Sequence, residues 1–323
     1  MDSALIGDIG ATNARFALLL DGAVTAIRVL EVAAYPSLGD AIHAYIEGVG
    51  HDGLPNPSRG ALAVAGPVTG DFLSFTNHPW SFSIAALKRD LGFDRLDIVN
   101  DFVALAMAVP HLGAGDRRQI GEGAPAAGSP IGIIGPGTGL GVSILMPVDS
   151  GPSTRWITIP SEGGHVTLAP VTEREAAIIQ WLHRTGRPHV SAETLICGEG
   201  LSKLYTVLSA LDGIAAPHLQ PSDVTARALK RSDPVAVEAV NVFCALLGTV
   251  AGNLALTAGS RGGVYIAGGI VPRLGELFDR SEFRARFVAK GRMRSYLEPI
   301  PTYLITEEFP AFVGLAALVG AGA

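Results

Sequence analysis

Several groups of residues in this chain have the types and spacing to do chemistry. The dipeptide Asn100-Asp101 closes the apolar run Leu96–Val99 and precedes a helical pattern at Phe102–Val109. Ligands of open α/β sheets collect at the carboxyl ends of strands, where a carboxylate can take a proton from a substrate hydroxyl. The same dipeptide suits a helix N-cap, and one role does not exclude the other. Ser161-Glu162-Gly163-Gly164-His165 follows another strand-like run and offers a carboxylate and an imidazole able to hydrogen-bond a polyol. A metal pair there would lack a third ligand nearby in sequence. Two Gly-rich turns, Gly7-Asp8-Ile9-Gly10-Ala11-Thr12-Asn13 and Gly135-Pro136-Gly137-Thr138-Gly139-Leu140-Gly141, could present successive N–H groups to an anion. Their glycines are expected to permit left-handed backbone and close ligand approach. Asp8 sits where Mg2+, which takes one or two carboxylates plus phosphates and keeps waters, could be held. The alternative for Asp8 is an Asx-turn.

Each Gly turn joins two short apolar runs, within Ala4–Leu20 and Ile131–Leu145, the pattern of a β-hairpin. The second hairpin echoes the first, which suggests two α/β segments of common plan gripping one polyphosphate from opposite sides. After the first hairpin come a strand at Val24–Val32 and a helix capped by Ser37. Strands at Ala61–Ala65 and Phe72–Phe75, a helix capped by Ser83 and the strand Leu96–Val99 follow. A second segment starts near Pro110, with a loop at Asp116–Pro130. Beyond the echo hairpin the pattern predicts a strand at Trp156–Ile159 and a helix opened by the capping box of Thr172 and Glu175. Helices at Glu199–Leu211, Ser222–Leu229, Pro234–Ala258 and Ser281–Ala289 and a strand at Gly263–Ala267 follow. A last strand, Pro301–Ile305, and helix, Pro310–Val319, are expected to return to the first segment. The domains are therefore drawn as 1–109, completed by about 301–323, and 110–300.

Composition narrows the function classes. In 323 residues, 48% hydrophobic and 17% charged, there is room for ample core. A net charge of −6 argues against a nucleic-acid or membrane-surface role, which wants a basic face. The only cysteines, Cys197 and Cys244, are too few for a disulfide framework, and a cytoplasmic setting is expected. The opening residues carry no basic segment or cleavage site of a secretory signal. Val235–Ala258 is long enough to span a membrane. Glu238, Asn241 and Asn253 within it, and Asp233-Pro234 at its start, favour a buried central helix of a soluble protein. The lysines, Lys88, Lys203, Lys230 and Lys290, all lie outside Gly loops, which excludes a P-loop nucleotidase. The oligomeric state is open, a homodimer being compatible with the sequence.

Residues 7–13 resemble the first phosphate loop of the hexokinase, actin and heat-shock ATPase superfamily. Residues 135–141 resemble its second phosphate loop, and Val264–Val271, with Gly268-Gly269, its adenosine motif. Within it the chain closely resembles bacterial ATP-dependent glucokinases of the proteobacterial type. The likeness runs through TNHPWSFS at 76–83, NDFVALAMAVP at 100–110, SEGGHVTLAP at 161–170 and GGVYIAGGIVPR at 262–273. The resemblance implies two RNase-H-like (actin-like ATPase) α/β domains with glucose and ATP in the intervening cleft. It implies Asp101 as catalytic base, and Asn100, Asp101, Glu162, His165 and Glu193 as sugar ligands. Glu193 owes its role to the resemblance alone. Nucleotide contacts fall to Gly7, Asp8, Ile9, Gly10, Ala11, Thr12, Asn13, Gly137, Thr138, Gly139, Gly268 and Gly269, with Asp8 holding Mg2+ through water. Ala11 stands where the family often has Gly. The cysteine-rich zinc motif of the related ROK kinases is lacking. The activity implied is transfer of the ATP γ-phosphoryl to the 6-hydroxyl of glucose, the alternative being a kinase of another hexose or amino sugar. A sugar-sensing regulator would carry an N-terminal helix-turn-helix, for which a chain opening in a strand leaves no room. A filament ATPase has no use for Asn100-Asp101 together with a polyol-binding Glu/His set.

Overall fold

The structure is a computed structural model describing residues 3–75, 80–149 and 154–320. The chain forms two compact units, Met1–Gly113 with Glu307–Ala323 (unit 1) and Ala114–Thr306 (unit 2). Unit 1 opens with β1 (Ser3–Ile9), β2 (Asn13–Leu20) and β3 (Ala23–Glu31), followed by α1 (Leu38–His51) and β4 (Arg59–Val64). A ribbon of β5 (Phe72–Ser74) and β6 (Ser81–Ser83), then α2 (Ile84–Asp90), β7 (Arg95–Asn100) and α3 (Asp101–Ala108), complete its N-terminal part. Ser37 Oγ accepts the Asp40 N–H at 3.2 Å and Ser83 Oγ the Ala86 N–H at 3.1 Å, the expected caps of α1 and α2. The sheet order is β3-β2-β1-β4-β7, antiparallel through the first three strands and parallel across β1, β4 and β7.

Unit 2 repeats the plan. Its strands are β8 (Arg117–Ile120), β9 (Ile131–Pro136), β10 (Leu140–Pro147), β11 (Trp156–Ser161), β12 (Val264–Ile266) and β13 (Thr302–Ile305). They lie in the order β11-β10-β9-β12-β13-β8. An antiparallel trio followed by two parallel strands is the RNase-H-like order of unit 1, with β8 added antiparallel at the edge. Helices α4 (Glu173–Arg184), α5 (Ala192–Leu195), α6 (Gly198–Leu211), α7 (Pro221–Leu229) and α8 (Pro234–Ala258) lie between β11 and β12. Between β12 and β13 come α9 (Ile270–Leu274), α10 (Glu276–Asp279), α11 (Phe283–Val288) and α12 (Arg294–Leu297).

Helix α8 is long and apolar enough to cross a membrane, but 78% of its most apolar window is buried. Asp233 caps its N-terminus and a left-handed Gly259 ends it. Gly248 and Gly252 let α11 approach so closely that a Cβ on either would strike the carbonyls of Phe283 and Phe287.

Two expectations are corrected here. The strand at 302–305 does not return to unit 1; it pairs with β12 and β8, and the return begins at Glu307. Only α13 (Pro310–Gly320) makes that crossing. The stretch 116–130 is not all loop, since β8 lies within it. Its sequence, Arg-Arg-Gln-Ile, lacks the apolar alternation that marks a strand, because an edge strand need not bury both faces. The chain changes units at 113/114 and 306/307. Residues 76–79 of the TNHPWSFS block lie outside the described residues.

Side chains of β1 alternate between two cores of unit 1. Leu5 and Ile9 join Phe16, Leu62 and the α1 residues Ile42 and Tyr45. Ala4 and Ile6 face Ala104 of α3 and Phe312 and Leu315 of α13. The α3 helix, which begins at Asp101, thereby packs beside α13 on the same face of the sheet.

Candidate active site

In unit 1, parallel pairing aligns three strand ends. Ile9 is level with Val64, and Val64 with Asn100, so the turn after β1 and the start of α3 emerge at one edge of the sheet. Asn100 caps α3 through Oδ1, which accepts the Phe102 N–H at 2.9 Å, while its Nδ2 donates to the Gly66 carbonyl at 3.1 Å. Asp101 Oδ1 accepts the same Phe102 N–H at 3.0 Å. Burial pushes the Asp101 carboxyl up to about 6, against the pull of the Phe102 N–H, and the negative charge of Asp8 adds to the rise. Asn100 is the cap of α3, and the Asp101 carboxyl beside it titrates well above its ordinary value.

Asp8 stands opposite Arg15 in the β1–β2 ladder, with Arg15 Nη1 at 3.3 Å from its Oδ2. Burial raises the Asp8 carboxyl and Arg15 draws it back. Arg15 was not singled out from sequence; its place two residues past the turn, on the strand facing Asp8, was the available signal. Gly10 N–H donates to Asn13 O at 3.0 Å and closes the turn. Ala11 and Thr12 are exposed at its tip. Gly7 lies inside β1, where a Cβ would come within 2.7 Å of Leu62 and 2.9 Å of Phe16. Its glycine serves packing, and the Ile9 side chain likewise faces the core.

In unit 2 the turn Gly137-Thr138-Gly139 joins β9 to β10. Gly137 N–H donates to Gly139 O at 2.8 Å, and the Gly198 N–H at the start of α6 donates to Gly137 O at 2.9 Å. Beside it, β12 runs parallel to β9, and Gly268 presses on the Pro136 carbonyl where no Cβ would fit. The second turn and Gly268-Gly269 therefore share one strand-end edge. The six glycines of the two turns permit a positive φ but none adopts one; Gly263 and Gly268 of the block 262–273 do, at 120° and 84°. Close approach is required at Gly7, beside Leu62 and Phe16, and at Gly139, beside the Glu193 carboxylate, whereas a Cβ on Gly137 or Gly269 would meet open space.

The segment after β11 folds back onto β10. Gly164 packs on the Leu140 carbonyl too tightly for any side chain, and Gly163 packs on Val142. His165 N–H donates to Glu162 O at 2.9 Å. The His165 imidazole lies between two acids, with Nε2 3.8 Å from Glu162 Oε2 and Nδ1 3.9 Å from Glu193 Oε1. Glu193 is carried on α5, where Ser191 and Thr194 form a reciprocal capping box. Its Oε2 accepts the Leu140 N–H at 2.8 Å. Glu162, His165 and Glu193 thus form one exposed polar cluster beside the second turn, suited to hydrogen-bonding several hydroxyls. The site residues divide between the units. Asn100, Asp101, Asp8 and the first turn belong to unit 1, the cluster, the second turn and Gly268-Gly269 to unit 2.

No cluster of three or more metal-ligating side chains occurs among the described residues. Mg2+ needs less, since it binds through one or two carboxylates and the substrate's own phosphates. Asp8 and Asp101 supply two carboxylates whose mutual repulsion a cation would relieve.

A family model described as Glucokinase matches residues 5–321. The chain is 52% identical to a glucokinase of Nitrobacter hamburgensis over 314 residues, covering 97% of this chain and 96% of that one. It is 52% identical to the bifunctional protein glk of Burkholderia thailandensis over 318 residues, and spans only 48% of that longer protein. Among solved structures, a glucokinase from an Antarctic psychrotroph superposes with a TM-score of 0.87 at 36% identity over 99% of both chains.

Proposed function

The chain belongs to the glucokinase family, and from that premise we propose how its own residues transfer the ATP γ-phosphoryl to the 6-hydroxyl of glucose, giving glucose 6-phosphate and ADP. Asp101 accepts the proton of the 6-hydroxyl as that oxygen attacks the γ-phosphorus. Asn100, Glu162, His165 and Glu193 take the remaining sugar hydroxyls and fix which oxygen faces the phosphate. N–H groups of Ala11 and Thr12 in the first turn and of Thr138 and Gly139 in the second, with the Thr12 and Thr138 hydroxyls, receive the phosphate oxygens. Gly268-Gly269 leaves room for the nucleoside. Asp8 would hold Mg2+ through water, and the ion would supply charge neutralisation on the phosphates. Phosphoryl transfer depends on positioning and electrostatics more than on covalent chemistry, so these residues orient and polarise.

The observation that carries this reading is Asp101. It is a half-buried carboxylate at the shared end of three parallel strands, and its pKa is raised to about 6. A general base works best with a pKa near the operating pH. Two buried, unpaired thiols fit a reducing cytoplasm. Release of ADP from Mg·ATP, followed by a coupled assay across glucose, mannose, fructose, glucosamine and N-acetylmannosamine, tests the assignment. Glucose should give the highest kcat/KM. A clear preference for an amino sugar would move the substrate, and no turnover with any hexose would remove the function.

A further inference from the structure

Glu193 holds two functional segments of unit 2 with one carboxylate. Its Oε2 accepts the Leu140 N–H at 2.8 Å, immediately after the turn 137–139. The same oxygen fills the space that a Cβ on Gly139 would need. Its Oε1 faces His165 Nδ1 at 3.9 Å. The helix that carries it is firmly seated. Ser191 and Thr194 are buried and cap α5 reciprocally, and Ala192 N–H donates to Val166 O at 2.9 Å. A one-turn helix fastened to the residue after His165 therefore aims its acid at the neighbouring hairpin.

That hairpin turn is anchored on both flanks. On one side Gly137 O accepts the Gly198 N–H at 2.9 Å. On the other, Leu140 N–H is gripped by Glu193. Between the anchors, the N–H groups of Thr138 and Gly139 have no backbone acceptor among the described residues, which leaves them for an anion. Their direction follows from the anchors, as preset donors require.

We propose that Glu193 is a positioning residue for the second phosphate turn as well as a sugar ligand, so that one side chain serves both substrates. The proposal rests on the turn 137–139 being the phosphate turn. A hydrogen bond to a charged group is worth roughly tenfold or more in an equilibrium, so breaking the Leu140 anchor should loosen nucleotide binding even when no sugar is present.

Calorimetric titration of Mg·ADP into the sugar-free protein, combined with glucose KM, tests this on Glu193→Ala and Glu193→Gln. The Ala variant should bind ADP about tenfold more weakly and also show a raised glucose KM. The Gln variant keeps an oxygen able to accept the Leu140 N–H. It should bind ADP within a few-fold of wild type while its glucose KM still rises. This rescue separates positioning from general damage to the fold. ADP binding by Glu193→Ala equal to or tighter than wild type would overturn the proposal, because the carboxylate would then be idle or repelling phosphate. Failure of the wild type itself to bind ADP would instead remove the phosphate-turn reading, and the proposal with it. Should the Ala variant not fold, Glu193→Asp, one methylene too short to reach Leu140, takes its place with the same expectations.

Discussion

Asp101 shares the Phe102 N–H with its neighbour, so the cap of α3 survives any change that spares Asn100. Asp101→Asn leaves the Asn100 cap in place and removes only a charge and a proton acceptor. Its kcat should fall ~10²–10⁴-fold, about 3–5 kcal/mol of barrier, with glucose still bound. Near-normal turnover by the folded variant would falsify the role of base. The raised pKa adds a signed prediction. Between its ordinary value of 3.8 and about 6, Asp101 holds its proton more tightly folded than unfolded, so its contribution to stability falls as pH rises through that window. The Asn variant should therefore melt above wild type at pH above about 6, and the gap should close on acidification. The acid limb of wild-type kcat/KM should fall near the same value; melting curves that run parallel at every pH would deny the shift. Residue roles were legible where local structure decides, as at the Asn100 cap of α3. They were not where tertiary contact decides. Nothing local to Glu193 announces its bond to Leu140, 53 residues away, and nothing local to Gly7 announces Phe16 and Leu62 around it.

At the scale of elements, hairpins, capping boxes and the long α8 were readable because their signals are local. What β13 pairs with is not, since a short buried strand fits either sheet by composition. The turn at 162–165 and the helix α5 converge on β10, and their division of labour can be measured. As the proposed sugar ligand, His165 makes no contact with the turn 137–139 in the hydrogen bonds described, so His165→Ala should raise the glucose constant far more than the ATP constant. A site built to bond a hydroxyl can discriminate by up to ~10⁴-fold. A change in the ATP constant alone would place His165 elsewhere. Helix α13 gives a second handle. Gly314 lies so close to the Ala104 carbonyl of α3 that a Cβ would collide with backbone. Gly314→Ala should cost roughly 1–3 kcal/mol by overpacking, read as a lower melting temperature, and an unchanged value would mean that α3 and α13 can slide apart.

The whole molecule consists of two units with separate hydrophobic cores, and proteins of several domains commonly depart from two-state unfolding. Trp80 reports on unit 1, Trp156 and Trp181 on unit 2. Urea titration of variants keeping only one set should give non-coincident transitions, and Gly314→Ala should move the Trp80 transition alone. A single curve shared by both probes would show one cooperative block. The same layout sets an order of events during synthesis. A ribosome delivers unit 2 in one uninterrupted stretch, able to condense as soon as Thr306 clears the exit tunnel. The N-terminal segment, made first, must wait for α13 before Ala4, Ile6 and Ala104 find the cover of Phe312 and Leu315. Throughout that interval the nascent chain displays the apolar underside of its oldest sheet, the surface on which a holding chaperone would settle.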